Sequence, residues 1–238
     1  MNTISTLKRL YHHLADPRWD GHYGTYAEAV STCRGKGVHD ERYVKKAVAG
    51  LTVDPCLTDG WRWVFGQLLE SNLLQVLDVG SGAGTFRRLA NLIYRDDGVI
   101  SPYGTSTTQY DTRAMFQALR EVEAPFNLYD WREIVEHSYD VVLCHNALQF
   151  FERPDDMLFN ISNLKTKQVI LADIPTSDQV TPYVTVLRWP WWKVNAVDMP
   201  MWVLPKQRLV RDIRRMWPGW TMAHKEINSR QYWSVVKQ

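Results

Sequence analysis

From residue 73 onward, short apolar runs alternate with segments whose apolar residues recur at helical spacing, the pattern of βαβ units around a mostly parallel sheet. LQVLDV (74–79) is apolar on both alternating faces and ends at glycines, so it reads as a buried strand. A helix follows over 85–94, with Leu89, Leu92 and Ile93 on one stripe. After a turn at Asp96-Asp97-Gly98 come a strand over 99–105, a helix over 110–122 and strands over 126–129 and 139–144 (YDVVLC). Pro154, Asp155 and Asp156 open the next helix, proline suiting the first turn and the acids suiting the helix dipole. Residues 169–172 give a fifth strand. A helix over 206–217 places Leu209, Val210, Ile213, Met216 and Trp217 on one stripe, with Arg208, Arg211, Arg214 and Arg215 largely off it. Two last strands, 220–226 and 232–236, can pair as an antiparallel hairpin at the sheet edge.

The flanking stretches lack this alternation. Residues 1–72 read as mostly helical and irregular, with a short helix at 25–30, a glycine-rich loop and a helix at 40–49 capped by Asp40. Residues 174–204 read as a long irregular stretch holding Pro175, Pro182, Pro190 and Pro200. The expected organisation is a helical extension or lid over 1–72 and one α/β domain over 73–238, with 174–204 an insertion. A chain of 238 residues accommodates this as a single domain with an extension.

Composition is that of an ordinary globular chain, 45% apolar and 23% charged, which excludes disordered and collagen-like classes. Tryptophan departs from that average: seven of eleven lie in the last fifty residues. Charge is uneven as well, with +1 over 1–72, −6 over 73–185 and +7 over 186–238. A basic, Trp-rich end suits an anionic partner such as nucleic acid, a nucleotide-linked sugar or a lipid headgroup, and equally suits the acidic middle of the same chain. Cys33, Cys56 and Cys144 are irregularly spaced and fit a reducing compartment without a CxxC metal site. His12, His13 and His39 lack partners at ligand spacing, so no metal is expected. No apolar run approaches the length of a membrane span, and the expected location is cytoplasmic.

The densest chemistry lies in Asp78-Val79-Gly80-Ser81-Gly82-Ala83-Gly84-Thr85, between the first strand and its helix. Open α/β sheets bind ligands at this edge, and glycines let a ligand approach backbone N–H groups. Thr85 stands where a dinucleotide fingerprint wants Gly or Ala, and the Gly-Lys-Ser/Thr of a phosphate loop is absent. The loop alone is also compatible with a tight turn and no ligand.

VLDVGSGAG (76–84) resembles the first motif of class I S-adenosylmethionine-dependent methyltransferases. NLYDW (127–131) and YDVVLCHNALQFFERPDDML (139–158) continue the resemblance in that family's order. It implies a Rossmann-like, mostly parallel seven-stranded sheet with an antiparallel C-terminal hairpin, and S-adenosyl-L-methionine as cofactor. On that resemblance Asp78, Gly80, Gly82 and Gly84 meet the methionine end, Asp130 and Trp131 the adenine edge, and His145 and Asn146 the floor beneath the sulfonium. The chain departs from the family at the second strand, where Tyr103-Gly104-Thr105-Ser106 lacks the acid that holds the ribose. Ser106 or Gln109 would take its place with weaker, neutral hydrogen bonds, or Asp111 would reach back from the following helix. Short stretches, among them 19–29, 37–40, 148–151 and 199–204, are similar to methyltransferases encoded with bacterial surface-polysaccharide genes.

Methyl transfer to a hydroxyl requires an aligned acceptor, exclusion of water and a group that takes the proton. His145, after the fourth strand, and Asp173, after the fifth, are the candidate catalytic residues; local packing and a loop cap toward Thr176 or Ser177 are their structural alternatives. Tyr23 and Tyr26, with Trp189, Trp191, Trp192 and Trp202, are the candidate acceptor-binding residues, or else packing aromatics. The sequence therefore points to a methyltransferase acting on a small hydroxylated acceptor, a sugar or nucleotide-sugar. An RNA or DNA methyltransferase, and a non-catalytic relative binding a partner through its basic Trp-rich end, are the alternatives.

Overall fold

The computed structural model describes residues 18–35, 56–69, 74–81, 84–94, 100–105, 122–123, 138–189 and 197–238. The expected helices at 40–49 and 110–122 and the strand at 126–129 lie wholly or almost wholly outside these residues. The described strands are β1 (Arg18–Tyr23), β2 (Leu74–Val79), β3 (Ile100–Thr105), β4 (Val122–Glu123), β5 (Ser138–His145), β6 (Lys165–Ser177), β7 (Tyr183–Arg188), β8 (Met199–Pro205), β9 (Thr221–Ile227) and β10 (Arg230–Val236). The helices are α1 (Tyr26–Ser31), α2 (Asp59–Gln67), α3 (Thr85–Tyr94), α4 (Pro154–Ser162) and α5 (Lys206–Met216), and a 3-10 turn spans Leu148–Phe150.

Seven strands run in the order β4-β3-β2-β5-β6-β10-β9. β2 is parallel to β3 and β5, β5 is parallel to β6, and β10 is antiparallel to both β6 and β9. The antiparallel C-terminal hairpin is therefore present. Among the described residues the sheet has ten strands and not the expected seven. The additional three form an antiparallel group in which β7 pairs with β1 and β8, and β8 joins β6 in parallel at Thr176↔Leu204 and Ser177↔Pro205. Two further expectations are corrected here. The stretch 174–204, read as irregular from its prolines, holds the end of β6 and all of β7 and β8. Residues 18–23 are a strand within what was read as a helical extension. Prolines misled because Pro182 precedes β7 and Pro200 and Pro205 lie in the short strand β8, whose contact with β6 is confined to its end.

The central strands are buried on both faces, which explains their unbroken apolar runs. Leu77, Val142, Val169 and Leu171 pack against α4 and α5 through Leu158, Ile161, Leu209 and Ile213. Val76, Val141, Leu143 and Ile170 pack against α2 and α3 through Trp61, Val64, Phe86 and Leu89. Each such side chain contributes about 1.5–3 kcal/mol on burial, so these two layers supply most of the drive for the fold. Trp217 and Trp233 are core residues of the first layer, and Trp220 packs partly against it.

Helix starts follow local chemistry. Thr58 caps α2 by accepting from Trp61 N–H at 3.3 Å, and Thr25 caps α1 by accepting from Glu28 N–H at 3.2 Å. Pro154 opens α4, with Asp155 and Asp156 in its first turn. The N-terminal segment is tied to β7 and β8 by Asp198, whose side chain is only 1% exposed and bonds the Arg34 side chain at 2.8 Å and the Trp189 N–H at 3.3 Å. Arg188 approaches the same carboxylate at 3.3 Å.

Candidate functional site

A cleft of about 750 Å³ opens at the carboxyl ends of β2 and β5 and beside Asp173 of β6. Five sequence-predicted residues meet there: Asp78, Gly80, His145, Asn146 and Asp173. Burial of β2 on both faces carries Asp78 to the cleft while leaving it 4% exposed. Gly80 and Gly84 take φ of 70° and 63°, the left-handed region that side chains disfavour, and Gly84 N–H bonds Ser81 C=O at 2.9 Å to turn the chain into α3. Of the described loop residues, Gly80 and Ser81 line the cleft. Gly82 is not among the described residues, nor are Ser106, Asp130, Trp131, Trp191 and Trp192.

The opposite wall comes from α2 and the β9–β10 hairpin. Trp61 stacks on His145 with ring centroids 3.7 Å apart. Burial under that ring pushes the His145 imidazole down to a pKa of about 3, its own backbone hydrogen bond offsetting this only in part. His145 is consequently neutral across the physiological range and a weak proton acceptor.

Asp173 differs. Its backbone is left-handed, φ 57°, at a bulge where Ala172 and Asp173 face Tyr232 between the Gln231↔Ile174 and Trp233↔Leu171 pairs. Burial raises the pKa of its carboxyl, while Arg230 at 3.8 Å and the Tyr232 hydroxyl, donating at 3.5 Å, act the other way. Tyr232 is itself pushed up to about 12 by burial and by the Asp173 charge, so it stays a phenol and a donor. A partly buried carboxylate of raised basicity beside a neutral imidazole gives the cleft one group suited to taking a proton.

The candidate acceptor residues sit elsewhere. Tyr26 is buried and its hydroxyl donates to Phe150 C=O at 3.1 Å. The Tyr23 hydroxyl accepts from Arg188 Nη2 at 3.3 Å, Trp189 belongs to the Asp198 junction, and Trp202 Nε1 donates to Glu152 C=O at 3.2 Å. These four come together around β7 and β8, and the cleft lining does not include them. Trp202 also lines a smaller hollow of about 260 Å³ with Asp155, Pro182 and Arg208.

Sequence reasoning missed Trp61, Phe86, Asn228 and Tyr232, which all line the cleft. A signal existed for two of them. Thr58 followed by Trp61, Val64 and Phe65 at helical spacing marks a capped helix, and Asn228-Ser229, both at positive φ, is the turn expected between two hairpin strands.

No family model matches the chain, and no curated protein matches it in sequence. Solved structures do match in shape. A protein from Haloferax volcanii, assigned as a methyltransferase and complexed with the Trm112 methyltransferase activator, superposes with TM-score 0.56 at 13% identity over 84% of this chain and 97% of that one. An O-methyltransferase family protein from Burkholderia thailandensis gives 0.52 at 15% identity over 81% of this chain, which spans 58% of that protein's length. A SAM-dependent methyltransferase from Aquifex aeolicus gives 0.50 at 13% identity over 82% and 97%. The fold is that of the S-adenosylmethionine-dependent methyltransferases. In this methyltransferase fold, Gly80 and Ser81 after β2, the end of β5 and Asp173 of β6 line the cleft described above. Among the described residues, no helix is long and apolar enough to cross a membrane.

Proposed function

We propose that the chain is a cytoplasmic S-adenosyl-L-methionine-dependent methyltransferase acting on a small hydroxylated acceptor, a sugar or nucleotide-sugar. The observation that carries this is the β2–α3 junction. Asp78, a left-handed Gly80 and Ser81 line a 750 Å³ cleft at the ligand-binding edge of a methyltransferase-type sheet, and a left-handed Gly84 precedes α3. The fit is chemical as well as steric, since a glycine-rich backbone and a carboxylate suit the amino and carboxyl groups of a bound amino acid. In this reading Asp78, Gly80, Gly82 and Gly84 hold the methionine end. Ser106, Asp130 and Trp131 hold the nucleoside, and His145 and Asn146 form the floor.

The bound sulfonium supplies an electrophilic methyl group. The neutral His145, held flat by Trp61, shapes the floor and excludes water. Asp173 accepts the proton released as an acceptor hydroxyl oxygen gains its methyl group. Residues 1–72 and 174–204 form the acceptor-side cover. Within it Tyr23, Tyr26, Trp189 and Trp202 frame the β1, β7 and β8 group, and Trp191 and Trp192 complete the set of acceptor-binding residues. The choice of a glycan-type acceptor rests on the resemblance of short flanking stretches, 19–29, 37–40, 148–151 and 199–204, to methyltransferases encoded with surface-polysaccharide genes.

Calorimetric titration with S-adenosylhomocysteine tests the reading. Saturable one-to-one binding is expected, weakened in Gly80→Val, and absence of binding at high micromolar ligand sinks it.

A further inference from the structure

Gln149 is completely buried in the 3-10 turn after β5. Its Nε2 donates to Asn146 Oδ1 and toward Asp173 C=O at 3.5 Å. The two residues it reaches have positive φ, 50° at Asn146 and 57° at Asp173, and both line the cleft. They also lie side by side, since Asn146 N–H bonds Ala172 C=O at 2.9 Å. Left-handed backbone at a non-glycine residue is disfavoured and persists where surrounding contacts enforce it, although Asn and Asp bear it better than most.

Packing alone does not account for a glutamine here. Its Oε1 is buried without a hydrogen-bond partner, a cost that an apolar side chain of similar shape avoids. What an apolar residue cannot do is bridge Asn146 and Asp173. The turn is fixed from outside as well, by Tyr26 at Phe150 C=O and by Trp202 at Glu152 C=O. We infer that Gln149 is a positioning residue that clamps Asn146 and Asp173 in left-handed conformation, and thereby sets the cleft floor beneath cofactor and acceptor. The consequence for ligands rests on the methyltransferase reading; the clamp itself does not.

Two variants test this. In Gln149→Leu the fold is expected to persist, because the unpartnered oxygen is removed. A crystal structure should then show Asn146 or Asp173 out of the left-handed region, and S-adenosylhomocysteine affinity should fall about tenfold. Gln149→Glu can donate only while its carboxyl is protonated. Its affinity should therefore lie near the wild type at about pH 5.5 and fall relative to it toward about pH 8. Retention of both left-handed residues in Gln149→Leu, or an affinity within about twofold of the wild type, overturns the inference. If Gln149→Leu does not fold, a Gln149→Glu affinity that tracks the wild type at every pH overturns it. A wild-type chain that binds no S-adenosylhomocysteine defeats the methyltransferase reading instead, and the backbone conformations in Gln149→Leu still decide the clamp.

Discussion

Trp61 lies flat against His145, ring centroids 3.7 Å apart and planes within 14° of parallel. The stack covers one face of the imidazole, and burial holds its pKa at about 3. An unfolded histidine titrates near 6.5, so between about pH 6.5 and 3 the unfolded chain binds a proton that the folded chain refuses. The stability associated with neutral His145 is complete above that window and is lost as pH falls through it. NMR of the wild type should show no His145 titration above about pH 5, whereas in Trp61→Ala the ring should titrate near 6. That variant should also lose about 3–5 kcal/mol as a core truncation, and Trp61→Phe, which preserves a ring over His145, much less. A wild-type His145 titrating near its ordinary value contradicts the stack as the source of that burial.

Gly60 and Tyr232 join α2 to β10. A Cβ on Gly60 would stand 2.4 Å from the Tyr232 hydroxyl, and Tyr232 is only 5% exposed. Gly60→Ala should therefore destabilise by about 1–3 kcal/mol through overpacking, despite the roughly 1 kcal/mol that alanine gains over glycine within a helix. Tyr232→Phe removes the closest atom and leaves ring carbons at 3.0 Å, so in that background Gly60→Ala should be close to neutral. Gly66, on the same helix with open space around it, is the control, and its change to alanine should stabilise. A double-mutant cycle by urea denaturation measures the coupling, and additivity of the two changes disproves the contact.

The parallel core was legible because its strands are buried on both faces: LQVLDV and YDVVLC have few polar positions to confuse with another element. The same holds for the glycine loop, whose spacing after an apolar run reports a backbone requirement directly. β1, β7 and β8 were not legible. β1 is largely exposed and its register shifts between Asp20 and Tyr23, so its sequence carries no strict alternation. What fixes this group is a set of tertiary contacts, chiefly Asp198 with Arg34 and Arg188, separated by 164 and 10 residues. In the site, the position of His145 was readable, but its basicity was not, because that depends on Trp61, a residue 84 positions away whose helix the apolar pattern of 73 onward does not announce.

The glycine loop carries the next prediction. Valine at position 80 must adopt φ near 70°, a conformation costing about 1–2 kcal/mol even before its side chain meets a ligand. Gly80→Val should lower S-adenosylhomocysteine affinity by about tenfold or more, with a melting temperature lowered only by the strain. Differential scanning calorimetry beside the titration separates the two effects, and an unchanged affinity removes Gly80 from the cofactor site.

Asp198 is the last test, and it concerns the cover rather than the cleft. Burial works against its charge, yet the Arg34 side chain and backbone N–H, with the Trp189 N–H, hold the carboxyl below its usual pKa. Because the folded pKa is depressed, this stabilisation is fully present above the unfolded value near 3.9 and is lost as pH falls through the folded one. Asp198→Ala at pH 7 removes the shared partner of Arg34 and Arg188, which are 38% and 27% exposed, and should cost about 1–3 kcal/mol, whereas Asp198→Asn, which keeps a hydrogen-bond acceptor, should cost less. The loss should be local first. Hydrogen exchange is expected to accelerate in α1, β1 and β7 ahead of β5 and β6, since among the described residues the former reach the sheet by strand pairing only through β8, at two residue pairs. Uniform acceleration across β5 and β7 would instead make the three-stranded group an integral part of the core, and the reading of it as a separately anchored cover over the acceptor side would fall.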